Sequence, residues 1–281
     1  MKNALLTLIF LVIFSGGIFA QESKVSETLK VKSEILRMDR NFSVYLPPGY
    51  EANDRAYPVL YLLHGSGDDH TGWIQFGQVQ HIADRVIAEG KAAPMIIVMP
   101  DANEPVRGYF NVPDGSYAYE DFFFKELIPH VEKTFRVRSD RRYRAVSGLS
   151  MGGGGTIYYA LRHPDMFAAA APMSATTSAW LRGEHKASEQ QVDAFRKAYN
   201  LEAILNSASE QQMEAFKRIR WYITCGDDDF LYKDNSEMHI LFRSKNIPHE
   251  YRVKDGGHTW SYWRMELAEA LEFLSKSFTQ F

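Results

Sequence analysis

The sequence holds a single cysteine, Cys225, among 281 residues. No disulfide can form within the chain, so stability has to come from core burial. Cys225 follows the apolar run Trp221 to Thr224 and precedes Gly226, which marks it as a buried residue at the end of a strand. An excess of positive charge is also missing: 32 Lys and Arg stand against 35 Asp and Glu. That balance argues against nucleic acid as a partner, because phosphates need surplus cations to displace their counterions. Beyond the first twenty residues no apolar run is long enough to span a bilayer. Internal repeats, low-complexity tracts and linkers are absent as well, and one domain over residues 21–281 is the simplest account. What is present is apolar and aromatic material, 45% and 14% of the chain. That is enough to offset the ordering entropy of a folded core.

At the start, Lys2 precedes the apolar stretch Ala4 to Phe14, and Ser15, Gly16 and Gly17 lead to Ala20. The stretch is about eleven residues, short of the roughly 20 that cross a membrane, and a small residue sits where a peptidase cuts. The pattern predicts a signal peptide over residues 1–20, cleavage before Gln21, and export to the periplasm or the cell exterior. An uncleaved anchor is the competing reading. No Cys follows the site, which argues against a lipid-anchored start.

Along the mature chain, short apolar runs alternate with helix-length patterns, the sign of βαβ units around a mainly parallel sheet. The runs are Val59 to Leu63, Met95 to Met99, Tyr143 to Ser147, Phe167 to Ala171 and Trp221 to Thr224. Lys24 to Leu46 instead alternates apolar and polar residues, and predicts an antiparallel edge hairpin with its turn near Asp39 to Asn41. Leu267, Leu271, Leu274 and Phe278 place one apolar stripe on a final helix, and Ile128, Val131 and Phe135 do so on another. Ser174 to Glu214 is polar, Ala- and Gln-rich, and reads as a helical insertion. The fold expected is α/β, with helices on both faces of the sheet.

Gly148-Leu149-Ser150-Met151-Gly152 follows the strand pattern Tyr143 to Ser147 and leads into the helix-like Thr156 to Arg162. This is G-x-S-x-G in a strand-turn-helix context. A turn sharp enough to lift a serine above a sheet crowds its flanking positions, and glycine removes the clash. The phosphate-loop pattern is excluded, because no Lys follows these glycines. A serine hydroxyl attacks at neutral pH only when a base takes its proton. Of nine histidines, His258 is best placed, after the loop residues Asp255, Gly256 and Gly257 and before the last helix. His163 and His130 sit in helix patterns and read as structural.

A carboxylate must then fix the imidazole tautomer. Asp227, Asp228 and Asp229 follow the strand Trp221 to Thr224, at the sheet edge where α/β active sites gather. The order Ser, Asp, His matches the α/β-hydrolases. A calcium loop fits the acids poorly, since Tyr232 stands where its glycine belongs. For a developing oxyanion the candidate donors are the backbone N–H groups of Met151 and Ser66, with Gly65 the alternative to Ser66. His64 reads as a loop-shaping hydrogen bonder, because Asp68, Asp69 and His70 form no recognised ligand spacing.

Val44-Tyr45-Leu46-Pro47-Pro48-Gly49-Tyr50, Tyr57 to Gly65, Glu126-Leu127-Ile128-Pro129, Gly148 to Gly153 and Gly257-His258-Thr259-Trp260 together resemble the esterase D, feruloyl and acetyl-xylan esterase branch of the α/β-hydrolases, carbohydrate esterase family one. In that branch a Gly-x-x-Asp pattern carries the acid, and it maps onto Gly226 and Asp229. The resemblance implies an exported serine esterase that removes feruloyl or acetyl groups from a small-molecule or polysaccharide ester, with no metal and no organic cofactor. Acyl transfer and general carboxylesterase activity use the same three residues. A non-catalytic carbohydrate-binding protein on this scaffold would be expected to have lost one of them. Trp180 and Trp260 are candidate substrate contacts, and Tyr262 and Trp263 share their spacing, though such spacing equally suits a core.

Overall fold

The computed structural model describes residues 22–103, 105–179, 181 and 186–279. The expected leader, residues 1–20, lies outside the described residues, as does Trp180.

Among the described residues, eight strands form one sheet: β1 (Lys24–Ser33), β2 (Met38–Leu46), β3 (Val59–Leu63), β4 (Ile96–Pro100), β5 (Arg144–Leu149), β6 (Ala169–Met173), β7 (Arg220–Gly226) and β8 (His249–Lys254). Their spatial order is β1-β2-β4-β3-β5-β6-β7-β8. The pairs β1/β2 and β2/β4 are antiparallel and the rest are parallel. Every residue of β3 to β6 is buried, which is why these strands read as continuous apolar runs. Side chains alternate between the faces: Val59, Tyr61 and Leu63 enter one core, Leu60 and Leu62 the other.

The helices are α1 (Gly72–Gln75), α2 (Val79–Ala88), α3 (Tyr119–Phe122), α4 (Ile128–Thr134), α5 (Met151–Arg162), α6 (Glu189–Ala198), α7 (Leu201–Ser207), α8 (Glu210–Lys217), α9 (Tyr232–Ser244) and α10 (Trp260–Thr279). A π-helical turn, Phe123–Leu127, joins α3 to α4. On one face α2 and α10 bury Ile82, Val86, Leu267, Leu271 and Leu274 against Leu60 and Leu62. On the other, Phe123, Val131, Ile157, Tyr159 and Phe242 close over Tyr61. Each such side chain contributes about 1.5–3 kcal/mol when fully buried. Of the helical stretch expected near 174–214, the helices α6, α7 and α8 account for the part from Glu189 onward and continue to Lys217; 174–179 and 186–188 are not helical. Reciprocal capping boxes, Ser188 with Gln191 and Ser209 with Gln212, start α6 and α8.

Three expectations change. The hairpin turn is not at Asp39 to Asn41 but at residues 34–37. Its acceptor lies far away in sequence: the Glu126 carboxylate takes the N–H groups of Glu34 (3.0 Å) and Ile35 (3.1 Å) and the Ser33 hydroxyl. The strand β8 has no counterpart among the expected apolar runs. It is an edge strand, paired only with β7, and its Glu250, Arg252 and Lys254 leave it no continuous apolar stretch. Finally, β6 begins two residues later than expected, with Phe167 buried just before it.

Candidate active site

Ser150 stands between β5 and α5 at the carboxyl edge of the sheet, with φ 54° and ψ −115°. A non-glycine residue held there is strained, a cost of about 1–3 kcal/mol that the surroundings have to impose. They do so through backbone bonds: Ser150 N–H donates to Met173 O at 2.9 Å, and Ser150 O accepts from Gly154 N–H at 3.0 Å. Glycine is required on both sides. A Cβ on Gly148 would lie 2.6 Å from Gly152 O, and one on Gly152 would lie 2.5 Å from Leu63 O.

The structure brings Ser150, His258 and Asp229 into one hydrogen-bonded chain. His258 Nε2 is 2.9 Å from Ser150 Oγ, and its Nδ1 is 2.8 Å and 3.0 Å from the two Asp229 oxygens. The Asp229 side chain is wholly buried and that of His258 is 18% exposed. Burial pushes the Asp229 carboxyl up. The hydrogen bonds it accepts from His258, Leu231 N–H and Ser174 outweigh that and hold it below the ordinary aspartate value. An ionised carboxylate only accepts, so Nδ1 carries the proton and Nε2 is left with the lone pair. That is the tautomer able to receive the Ser150 proton. Trp263 packs edge-on against the His258 ring, centroids 4.8 Å apart, and donates to Ser174 Oγ at 3.1 Å.

The neighbouring acids do different work. Asp227 Oδ1 accepts from Gly256 N–H at 3.0 Å and Asp228 N–H at 3.1 Å, while Asp228 N–H also donates to Gly256 O at 3.1 Å. They fasten the loop after β7 to the loop after β8. Asp227, Asp228 and Asp255 are exposed and bring carboxylate oxygens within 4.8 Å of one another, but Asp227 is already committed to backbone.

Met151 is the first residue of α5, and the first intrahelical bond runs from Gly154 N–H to Ser150 O. Its N–H therefore has no partner within the helix. Ser66 follows β3 in a loop that runs past Ser150: a Cβ on Gly65 would sit 3.6 Å from Ser150 Cβ. His64 shapes this loop. Burial lowers its pKa to about 4, so the ring is neutral. Nδ1–H donates to Gly65 O at 2.8 Å, and Nε2 accepts from Ala102 N–H at 2.9 Å. Because the peptide is planar and trans, holding the Gly65 carbonyl toward His64 turns the Ser66 N–H the opposite way. The structural reading of His163 also fits, since its Nε2 meets the buried Glu120 carboxylate at 2.7 Å.

A cavity of about 400 Å³ opens beside Ser150 and His258, and Ser66 and Met151 line it too. Its walls are chiefly Tyr109, Phe110, Tyr158, Phe230 and Leu231, with Arg107, Thr176, Ser178 and Asp234 as polar groups. None of these wall residues is evident from sequence. Phe230 directly follows Asp229 in the sequence, and only the fold shows that it is 71% exposed. Trp260 does not line the cavity; it packs against Trp73, Phe76 and Trp263. Tyr262 and Trp263 are buried in the core beneath the site, and Cys225 is a buried residue of β7.

A family model described as "Putative esterase" matches residues 33–274. Over 132 residues, 44% of this chain, the sequence is 39% identical to an endo-1,4-beta-xylanase/feruloyl esterase of Xylanibacter ruminicola. The chain covers 18% of that protein, so it spans only a small part of this curated relative's length. A solved ferulic acid esterase is 37% identical, with a TM-score of 0.82, over 92% of this chain and 100% of that one. An S-formylglutathione hydrolase from Staphylococcus aureus aligns with a TM-score of 0.72 over 90% and 99% of the two chains, at 22% identity. At that identity the likeness is one of fold. Among the described residues no helix is long and apolar enough to cross a membrane.

Proposed function

Because the chain belongs to the esterase family whose model spans residues 33–274, in the feruloyl and acetyl-xylan esterase branch of the α/β-hydrolases, we propose that it hydrolyses carbohydrate esters of an aromatic, hydroxycinnamoyl-type acid. The observation that carries the reading is the cavity of about 400 Å³ beside the Ser150–His258 hydrogen bond. An acetyl group takes the room of about two waters, roughly 60 Å³ at ~30 Å³ each, and would leave most of that space unfilled. An aromatic acyl group uses far more of it and would lie among the rings of Tyr109, Phe110 and Phe230 that line it.

In this reading His258 Nε2 takes the Ser150 proton as Oγ attacks the ester carbonyl, and Asp229 stabilises the imidazolium. The oxyanion is held by the N–H groups of Met151 and Ser66, each worth about 3–4 kcal/mol to the barrier. His258 then protonates the departing alcohol. Water, deprotonated by the same imidazole, attacks the acyl-enzyme, releases the acid and restores Ser150. The N-terminal pattern supports export, and sequencing of the processed protein is expected to begin at Gln21.

The test is a panel of acetyl, butyryl and feruloyl esters and acetylated xylan, compared by kcat/KM with Ser150→Ala as control. A feruloyl preference of at least hundredfold, about 2.7 kcal/mol, is expected, with activity abolished in the variant. Activity retained by Ser150→Ala, or a fluorophosphonate label on another residue, removes the serine mechanism. A preference for acetyl esters removes the acyl assignment. Product analysis with an added alcohol separates hydrolysis from acyl transfer.

A further inference from the structure

The tetrahedral carbon formed at Ser150 carries three groups besides Oγ: the oxyanion, the acyl chain and the alkoxy oxygen. The cavity receives the acyl chain. The alkoxy oxygen has to come within reach of His258 Nε2, which returns the proton, so the alcohol portion leaves beside the imidazole.

The chain that continues from His258 leads to Trp260, at the start of α10. Trp73 and Trp263 meet the Trp260 ring edge to face, with centroids 5.2 Å and 5.4 Å away at 87° and 90°. Phe76 lies 5.9 Å from it, with the two planes inclined by only 35°. Phe76 is held firmly through its backbone. Its N–H donates to Gly72 O at 2.9 Å, and its carbonyl accepts from Arg264 Nη1 at 2.9 Å. Yet the residue is 51% exposed. An aromatic ring whose backbone is anchored and which is left half in water keeps an apolar face available to a ligand. Ring contacts, each within 6 Å by centroid, run from Phe230 in the cavity wall through His258, the buried Trp263 and Trp260 to Phe76. Neither Phe76 nor Trp260 belongs to the cavity wall.

Resting on the ester-hydrolase reading above, we propose that Phe76 and Trp260 form a separate alcohol-side subsite that stacks a sugar ring of the glycan carrying the ester. The occupant follows from the chemistry. A sugar ring presents an apolar C–H face to an aromatic plane and keeps its hydroxyl groups toward water, and two rings inclined by 35° and joined to the His258 ring through Trp263 suit that shape. A small alcohol such as methanol would not reach them.

The experiment compares two esters of the same hydroxycinnamic acid, one of methanol and one of a neutral oligosaccharide, in wild type, Phe76→Ala and Trp260→Leu. Phe76 is half exposed, so its truncation leaves the fold intact, and thermal melts check the Trp260 variant. The expected result is a fall of at least tenfold in the ratio of kcat/KM for the oligosaccharyl ester to that for the methyl ester, arising mainly from KM. The unesterified oligosaccharide should inhibit wild type competitively and Phe76→Ala at least tenfold less well. A ratio within twofold of wild type in Phe76→Ala overturns the subsite, as does an equal loss on both esters. A wild-type protein that hydrolyses neither ester overturns the ester-hydrolase reading itself.

Discussion

His258 Nδ1 faces both oxygens of Asp229, at 2.8 Å and 3.0 Å, across 29 residues of chain that include β8 and the whole of α9. Of the three consecutive acids after β7, Asp229 is the one that makes this contact. The first expected outcome follows. Asp229→Asn offers the imidazole an amide in place of a carboxylate, favours the wrong tautomer and removes the charge that stabilises the imidazolium. A fall in kcat of about 10³- to 10⁴-fold is expected. Asp228→Asn should stay within about twofold, since it is the Asp228 backbone that bonds across to Gly256. Steady-state kinetics on one ester decide this, and equal losses in the two variants would count against Asp229 as the acid.

A second outcome concerns pH. His64 is buried and neutral, with a pKa lowered to about 4 against an ordinary value of 6.5. Between those values the unfolded chain binds a proton at this position that the folded protein does not, so stability rises with pH across the window. The contribution is fully present above pH 6.5 and is lost as pH falls toward 4, on the order of 3 kcal/mol in all. Urea midpoints from pH 7 to 4 should fall in wild type and flatten in His64→Gln. The glutamine amide would keep polar atoms near Gly65 O and Ala102 N–H but has no proton to gain. Parallel curves would show that His64 does not carry the dependence.

How far the site is legible in sequence depends on the range of the contacts that define each part. Ser150 and its flanking glycines are local chemistry, a strand end and a helix start, and are evident in the five residues around them. Asp229 is one of three adjacent acids; the Gly-x-x-Asp pattern of the resembled branch points to it, but local chemistry alone does not tell which carboxylate turns inward. That choice is made by His258, by Leu231 N–H and by the ties of Asp227 to Gly256. The hairpin turn escapes a local reading because Glu126, which accepts its N–H groups, lies more than 90 positions away. The cavity walls are not visible at all. Tyr109 and Phe110 reach the site from the long connection between β4 and α3, and only the folded course of that connection sets them opposite Phe230.

The lone cysteine gives a third outcome. Cys225 is buried in β7, and burial pushes its thiol up to about 12. At pH 8 the thiolate fraction is then about one in ten thousand, and the thiolate is the reactive form. The native protein should resist alkylation by iodoacetamide for hours and yield one thiol in guanidinium, and treatment should leave esterase activity unchanged. Stoichiometric labelling of native protein would contradict both the burial and the raised pKa.

The last outcome tests how tightly the two loops that carry Asp229 and His258 are locked together. A Cβ on Gly226 would collide with Gly256 O and lie 3.3 Å from Gly257 N. Glycine is therefore needed at 226 for close approach, and Gly256 itself sits at φ 144°, a conformation that favours glycine. In Gly226→Ala the loop after β8 has to move outward, taking His258 with it. A displacement of about 1 Å at a reacting group costs roughly 10²-fold in rate, so kcat should fall by about two orders of magnitude. Overpacking costs about 1–3 kcal/mol in stability, and a control is needed to separate the two effects. Gly90 has φ 68°, and a Cβ added there would meet nothing within 4 Å, so Gly90→Ala loses stability through backbone strain far from the site. If kcat falls in Gly226→Ala and holds in Gly90→Ala at matched loss of stability, the effect belongs to the positioning of His258. If both variants keep full kcat, the backbone contact between the two loops is not what aligns His258 with Asp229 and Ser150.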